Sequence, residues 1–317
     1  MSDDTNIRVP AKTQAGRAPT ARLVAWMGLA LVSFSAIAIA GREAGRVMTT
    51  TELIFWRSLV GVVVLGVVYG WQGSGLAAVK TPVLPVHAAR AAVHFAAQYA
   101  WLYALTLIPL AELFALEFTT PLWVAVLAPL ALGERLTAWR LAAAMLGFVG
   151  AAIVAEPGLL QGRWQLTLST GTASAAAAAL GFAASMIITK RLTRTDPALR
   201  ILFWMQVLQG LIAVVILTVV AAQTGQGPVS FSGTMAGSAW AWVVALGLAG
   251  LAAHFGQMRA FGLADAIIVA PMDFLRLPLI AGVGAWFYGE TLGAGVAVGA
   301  GVVIVSNLLN LWPERQR

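Results

Sequence analysis

Residues 111–136 read AELFALEFTTPLWVAVLAPLALGERL, and residues 267–292, 156 positions later, read IIVAPMDFLRLPLIAGVGAWFYGETL. Each stretch is apolar and long enough to cross a bilayer. Each closes on Gly-Glu-x-Leu, as Gly133-Glu134-Arg135-Leu136 and Gly289-Glu290-Thr291-Leu292, and between them Glu117 falls on Asp273. A second echo lies nearer the start, where Leu53-Ile54-Phe55-Trp56 is matched 148 positions later by Ile201-Leu202-Phe203-Trp204. Short matches that recur in the same order point to a duplicated unit.

Working outward, 60 % of the 317 residues are apolar and 10 % charged, where a soluble domain has roughly 25 % charged. A bilayer absorbs that many Leu, Val and Ala side chains and a water-bounded core does not. Ten apolar stretches are predicted to span: 23–41, 51–70, 88–107, 111–131 and 138–155, then 171–190, 200–221, 238–258, 265–287 and 293–312. Each is close to the ~20 residues that a helix needs to cross the hydrocarbon. The predicted fold is an all-α integral membrane protein of ten transmembrane helices. Its divisions are a disordered tail at 1–21, a first five-helix repeat at 22–160 and a second at 161–317. A unit with an odd number of spans, copied once, inserts its second copy upside down, so the two repeats are expected to be inverted.

The net charge of +7 could suggest nucleic acid, but the positions of the cations point to the membrane instead. With the N-terminus inside, fifteen of the twenty Lys and Arg gather on the cytoplasmic side. Only Arg42, Arg46 and Arg163 lie opposite, while Arg57 and Arg276 fall inside spans. That bias predicts that both termini are cytoplasmic, in a multi-pass protein of a bacterial inner membrane. Cysteine is absent, which excludes disulfides, thiolate nucleophiles and cysteine metal sites.

The Gly-Glu-x-Leu endings, the acidic and proline-containing fourth span and the phrase Phe55-Trp56-Arg57 resemble the EamA-type branch of the drug/metabolite transporter superfamily. The likeness runs from about residue 22 to 312. It implies ten helices in two inverted halves and transport of a small metabolite. Within the branch the chain looks most like YddG-type amino-acid exporters, with riboflavin and S-adenosylmethionine importers as alternatives. The small multidrug members of the superfamily carry a glutamate in the middle of the first helix. Here the first span, with Leu31-Val32-Ser33-Phe34-Ser35-Ala36-Ile37, contains no acid, which argues against their proton-coupled export of lipophilic cations.

A charge inside a span is costly unless it is paired or wetted, so such residues are candidates for function. Arg57 and Glu117 each lie about six residues into spans that start from the outer face, a depth of roughly 9 Å at the helical rise. An Arg57–Glu117 pair is therefore feasible, either as an outer gate or as a buried clamp. Asp273 and Arg276 are three apart and can neutralise each other on one helical face. Pro271 and Pro278 bracket them and are expected to bend the helix around a cavity. Both charge signs in one cavity suit a zwitterion, and the competing reading is a self-satisfied ion pair. Gln98, Tyr99 and Trp101 in the third span, with His254 and Gln257 in the eighth, offer stacking and directional hydrogen bonds to a small molecule. Gln98 falls on His254 at the same 156-residue offset.

Other residues are read as structural. Trp56, Trp139, Trp286 and Trp312 sit near span ends as interfacial anchors, and Glu134 and Glu290 as caps or loop contacts. His87 and His94 are seven apart, but without clustered carboxylates no metal or other cofactor is expected. Gly147, Gly150, Gly295 and Gly299 suit close packing of the fifth span on the tenth. A monomer is expected, with a homodimer through the same glycines as the alternative. The sequence has no HExxH, GxSxG or paired loop histidines, so the chain is not read as an enzyme. A non-transporting scaffold would have no reason to keep mid-membrane charges in both halves. The predicted function is secondary transport of small metabolites by alternating access, most of all export of aromatic or neutral amino acids.

Overall fold

The computed structural model describes residues 21–73, 78–108, 113, 116–155, 169–224, 237–279, 282 and 293–312. Among them every element is helical and no strand occurs. The helices are α1 (Ala21–Ala44), α2 (Thr50–Trp71), α3 (Leu84–Leu107), α4 (Thr120–Leu132), α5 (Ala138–Ala155), α6 (Thr170–Leu192), α7 (Ala198–Thr224), α8 (Gly237–Leu263), α9 (Ala266–Val269) and α10 (Ala294–Leu311). A 3₁₀ segment, Ala270–Leu275, continues α9. The expected tail, the repeat junction near residue 160, Arg163, Trp286 and Glu290 lie outside the described residues.

Six helices, α1, α2, α6, α7, α8 and α10, are long and apolar enough on their own to cross a membrane. This is a multi-pass membrane protein with ten helices among the described residues, although three of the spans depart from a plain apolar helix. The third span is diluted by His87, Arg90, His94 and Gln98. Of the fourth, the described helix α4 is only 13 residues, starting after a turn at Phe118–Thr119. The ninth passes into 3₁₀ geometry around Asp273. Apolar side chains such as Leu130, Val215 and Leu308 are exposed on the outer shell, while His94, Arg90, Gln209 and His254 are buried. That inside-out distribution fits lipid as the solvent.

Helix pairing follows from small residues. The strongest contacts join α1 to α8, α3 to α6, α2 to α7 and α5 to α10. Residues across each pair run in opposite senses, as in Arg57–Gln209 and Gly61–Gln206 between α2 and α7, or Trp139–Leu309 and Ala143–Ser306 between α5 and α10. All four pairs are antiparallel, and the scheme maps onto itself when each helix is exchanged with the one five places away. The fifth and tenth helices meet through glycine, as the sequence suggested. A Cβ on Gly150 would stand 2.9 Å from the Gly299 carbonyl oxygen, and one on Gly147 2.6 Å from Ser306 Oγ. Backbones that close gain van der Waals contact where lipid supplies no hydrophobic drive.

One end of the bundle is tied by two polar clamps. In the first, the left-handed Gly133 (φ 69°) ends α4 and turns Glu134 toward α9. There Glu134 accepts from the amides of Ala266 and Ile267 at 3.0 and 3.1 Å. Burial pushes this carboxyl above its usual range, against the pull of the two amide donors. Lys190 Nζ donates to the carbonyls of Phe261 and Ala264 at 2.5 and 2.6 Å, closing the end of α8. In the second clamp, Asp196 accepts from Thr81 and Arg200 at 2.7 and 2.8 Å and lies 2.8 Å from His87 Nε2. Burial alone would raise the Asp196 carboxyl, but these bonds outweigh it and hold it below the ordinary range.

Two measurements check this packing. Gly150→Ala must push into backbone and is expected to cost about 1–3 kcal/mol of stability. Gly301→Ala, whose added Cβ meets nothing within 4 Å, should melt like the parent. An equal drop in melting temperature for both would contradict the close packing. The second concerns acid. A depressed folded-state pKa stabilises above the ordinary value of 3.8 and the gain is lost as pH falls through the folded value. Asp196→Asn should therefore melt below the parent at neutral pH, with the gap closing in strong acid; a gap unchanged by pH would refute the clamp.

Candidate functional site

Charged groups in lipid must find partners, and the broken spans provide them. Glu117 precedes the Phe118–Thr119 turn, where Thr119 Oγ1 donates to the Leu116 carbonyl and Thr120 Oγ1 to the Glu117 carbonyl, both at 2.6 Å. These hydroxyls satisfy acceptors that the interrupted helix leaves open. Asp273 lies in the 3₁₀ segment after Pro271, and Arg276 follows it. Both acids thus sit at helix discontinuities, a setting in which backbone groups can face a cavity.

Arg276 Nη2 donates to Glu117 Oε1 at 2.5 Å, and Trp101 Nε1 donates to Glu117 Oε2 at 2.7 Å. The guanidinium lies 5.4 Å from the ring centre of Phe118 and 5.7 Å from that of Phe34. The ion pair is partly accessible, with 18 % and 12 % of the two side chains exposed. Asp273 Oδ1 and Arg276 Nε are buried without a hydrogen-bond partner among the described residues. The arrangement is a carboxylate pair with one fixed cation, aromatic walls and spare hydrogen-bonding capacity.

This corrects the Arg57–Glu117 pair anticipated from depth, and it gives Arg276 a second acid beyond Asp273. Arg57 does not reach Glu117. Its Nη2 donates to Gln209 Oε1 at 2.6 Å, because α2 packs on α7 and α8 and away from α4. Arg276 turns to Glu117 across the bundle instead of closing a hydrogen bond with Asp273, three residues away.

Several of the remaining candidates fall on one continuous seam. Arg90, His94, Gln98 and Trp101 follow helical spacing along one face of α3. Gln98 Oε1 is buried and unpartnered, and His254 and Gln257 are buried on α8. The His94 and His254 rings stand edge to face with centres 5.5 Å apart, and Phe34 packs on His254 at 5.5 Å. The seam therefore runs from Arg90 through the two histidines and Phe34 to Arg276 and Glu117. Tyr99 points elsewhere, bonding to Thr51 and lining an apolar cavity of about 420 Å³ with Phe95, Ile212 and Ile216 between α3 and α7.

Phe34, Phe118, Gln206, Gln209, Ser185 and Thr189 were not singled out from the sequence. The two glutamines, three apart in an apolar span, were the available signal; the phenylalanines gave none. His87 and His94 go to different partners, Asp196 and Ser185.

Residues 22–155 match the EamA-like transporter family. The chain is 28 % identical to a riboflavin transporter of Brucella anthropi, aligned over 80 % of this chain and 85 % of that protein. It is 25 % identical to an S-adenosylmethionine uptake transporter of Rickettsia felis over 92 % and 93 % of the two chains. The pseudopaline exporter CntI of Pseudomonas aeruginosa is 26 % identical over 87 % and 91 %. A solved structure described as "Crystal structure of protein" superposes with a TM-score of 0.76 at 18 % identity, over 93 % of this chain and 99 % of the other, so the fold is shared. This membrane protein thus matches the EamA-like transporter family over residues 22–155, and relatives named as transporters align with it along most of its length.

Proposed function

We propose that the chain is a secondary transporter of a bacterial inner membrane that exports small zwitterionic metabolites, aromatic or neutral amino acids foremost. The observation that carries this reading is the Glu117–Arg276 pair beside Asp273, whose Oδ1 has no hydrogen-bond partner among the described residues, framed by Phe34, Phe118 and Trp101. A cargo ammonium finds carboxylates there, and an aromatic side chain finds ring faces. Relatives named for transport support cargo contact, not catalysis, as the task of these charges.

Movement follows alternating access. The halves, 22–160 and 161–317, are inverted copies that rock about the broken fourth and ninth spans. Antiparallel contact between α2 and α7, and between α5 and α10, supports the inversion. The clamps built on Glu134 and Asp196 close the end that the Lys and Arg bias assigns to the cytoplasm, and they must part for cargo to enter. A single chain suffices for this cycle.

A second reading, uptake of riboflavin or S-adenosylmethionine, is favoured by the names of two relatives. Flux into proteoliposomes of labelled tryptophan, phenylalanine, S-adenosylmethionine and riboflavin separates the two. Saturable amino-acid flux is expected, falling about tenfold or more in Glu117→Gln, since a charge-assisted bond is worth roughly 1.5–3 kcal/mol. Flux of riboflavin or S-adenosylmethionine alone replaces the first reading with the second, and no flux of any of the four refutes both. The chain has no cysteine, so Val47→Cys and Thr195→Cys each give one labelling site for orientation. An impermeant maleimide outside right-side-out vesicles should reach position 47 and not 195; labelling of both would overturn the inverted arrangement.

A further inference from the structure

A second group of charges lies on α2 and α3, linked to Phe34 through His94 and His254. Arg57 is buried on α2 and Arg90 on α3, with 5 % and 3 % of each residue exposed. Their hydrogen-bond partners are neutral: Gln209 Oε1 for Arg57 at 2.6 Å and Thr189 Oγ1 for Arg90 at 2.5 Å. Among the described residues, neither guanidinium has a carboxylate at salt-bridge distance. Arg90 Nη1 is buried with no partner at all, and so is Gln209 Nε2 beside Arg57.

These groups converge. Arg57 Nη1 lies 3.5 Å from where a Cβ on Gly250 would stand, one helical turn from His254 on α8. Arg90 and His94 are one turn apart on α3, held by Thr189 and Ser185 one turn apart on α6. His94 and His254 meet ring to ring at 5.5 Å. Each of the four stands within range of another's charge. Two guanidiniums held among neutral ligands inside a membrane bundle carry positive charge that no carboxylate among the described residues balances.

We propose that Arg57, Arg90, His94 and His254 form an anion subsite that receives the carboxylate of the cargo. The planar fork of arginine suits a carboxylate, and the spare donor on Arg90 is oriented inside the protein before binding. Phe34 stands near both groups, its ring centre 5.5 Å from that of His254 and 5.7 Å from the Arg276 guanidinium. An amino-acid-like cargo lies along that ring, with its carboxylate toward Arg90 and its ammonium toward Asp273 and Glu117. This orientation rests on the transport reading above; the anion subsite itself does not.

The test is melting of the purified full-length protein with sodium benzoate or its neutral isostere benzamide, at constant ionic strength. Benzoate at tenfold its dissociation constant is expected to raise the melting temperature by roughly 2–4 °C, while benzamide does not. Arg90→Gln and Arg57→Gln should each abolish the benzoate rise, and Glu117→Gln should keep it. If one arginine variant fails to fold, the other carries the test. Equal shifts for benzoate and benzamide, no benzoate shift, or a full shift in a folded arginine variant overturns the proposal. A benzoate shift without flux in proteoliposomes would leave the anion subsite standing and remove the transport reading.

Discussion

The bond from Arg276 to Glu117 joins the fourth span to the ninth, and the centre of the protein is organised around it. In hydrocarbon neither ion is tolerable alone; removing one partner of a buried pair costs about 3–5 kcal/mol because the other charge stays stranded. The pair therefore fixes the lateral position of two helices that are both irregular. Glu117 needs the Phe118–Thr119 turn, and Asp273 and Arg276 need the tighter 3₁₀ coil after Pro271. Unbroken helices would bury these backbones in regular hydrogen bonds and leave no polar surface for a ligand.

The surrounding helices are rigid where the centre is adaptable. Pairs such as α3 with α6 and α5 with α10 meet through alanine and glycine, so close approach, and not oil-like burial, holds them. Two groups of polar side chains stand out among the described residues. At one end of the bundle they tie connections together through Glu134, Lys190 and Asp196. At mid-depth they form the seam from Arg90 to Glu117. A bundle held by strong side-to-side contacts and by a clamp at one end can yield at that end without losing its helix pairs, as a rocking mechanism requires.

Much of this was legible in the residues. Apart from the fourth and ninth spans, apolar runs located the helix ends to within about five positions, because lipid imposes length and composition together. The spacing of Gly147 and Gly150 pointed to the contact of the fifth helix with the tenth, since only small residues let backbones touch. Glu117 and Asp273 stood out because charge is rare in such spans. Partner choice was not legible. Depth placed Arg57 level with Glu117, yet depth says nothing of lateral order, and α2 turns its arginine to Gln209 between α7 and α8. Spacing joined Asp273 to Arg276, but a long side chain can choose a partner 159 positions away. Arg90 and His94 looked like the ragged start of a weak span; only the packing of α3 on α6 and the contact of His94 with His254 show them as members of a buried cluster.

The most direct measurement is a charge exchange across the central pair, read as melting temperature in detergent. Glu117→Arg and Arg276→Glu should each lower it steeply, since each places two like charges together away from water. The doubly exchanged protein should recover a large part of the loss, because the pair is restored with its direction reversed. A double variant no more stable than the sum of the two single losses would contradict the account, for then the two residues would not be holding the fourth and ninth spans together.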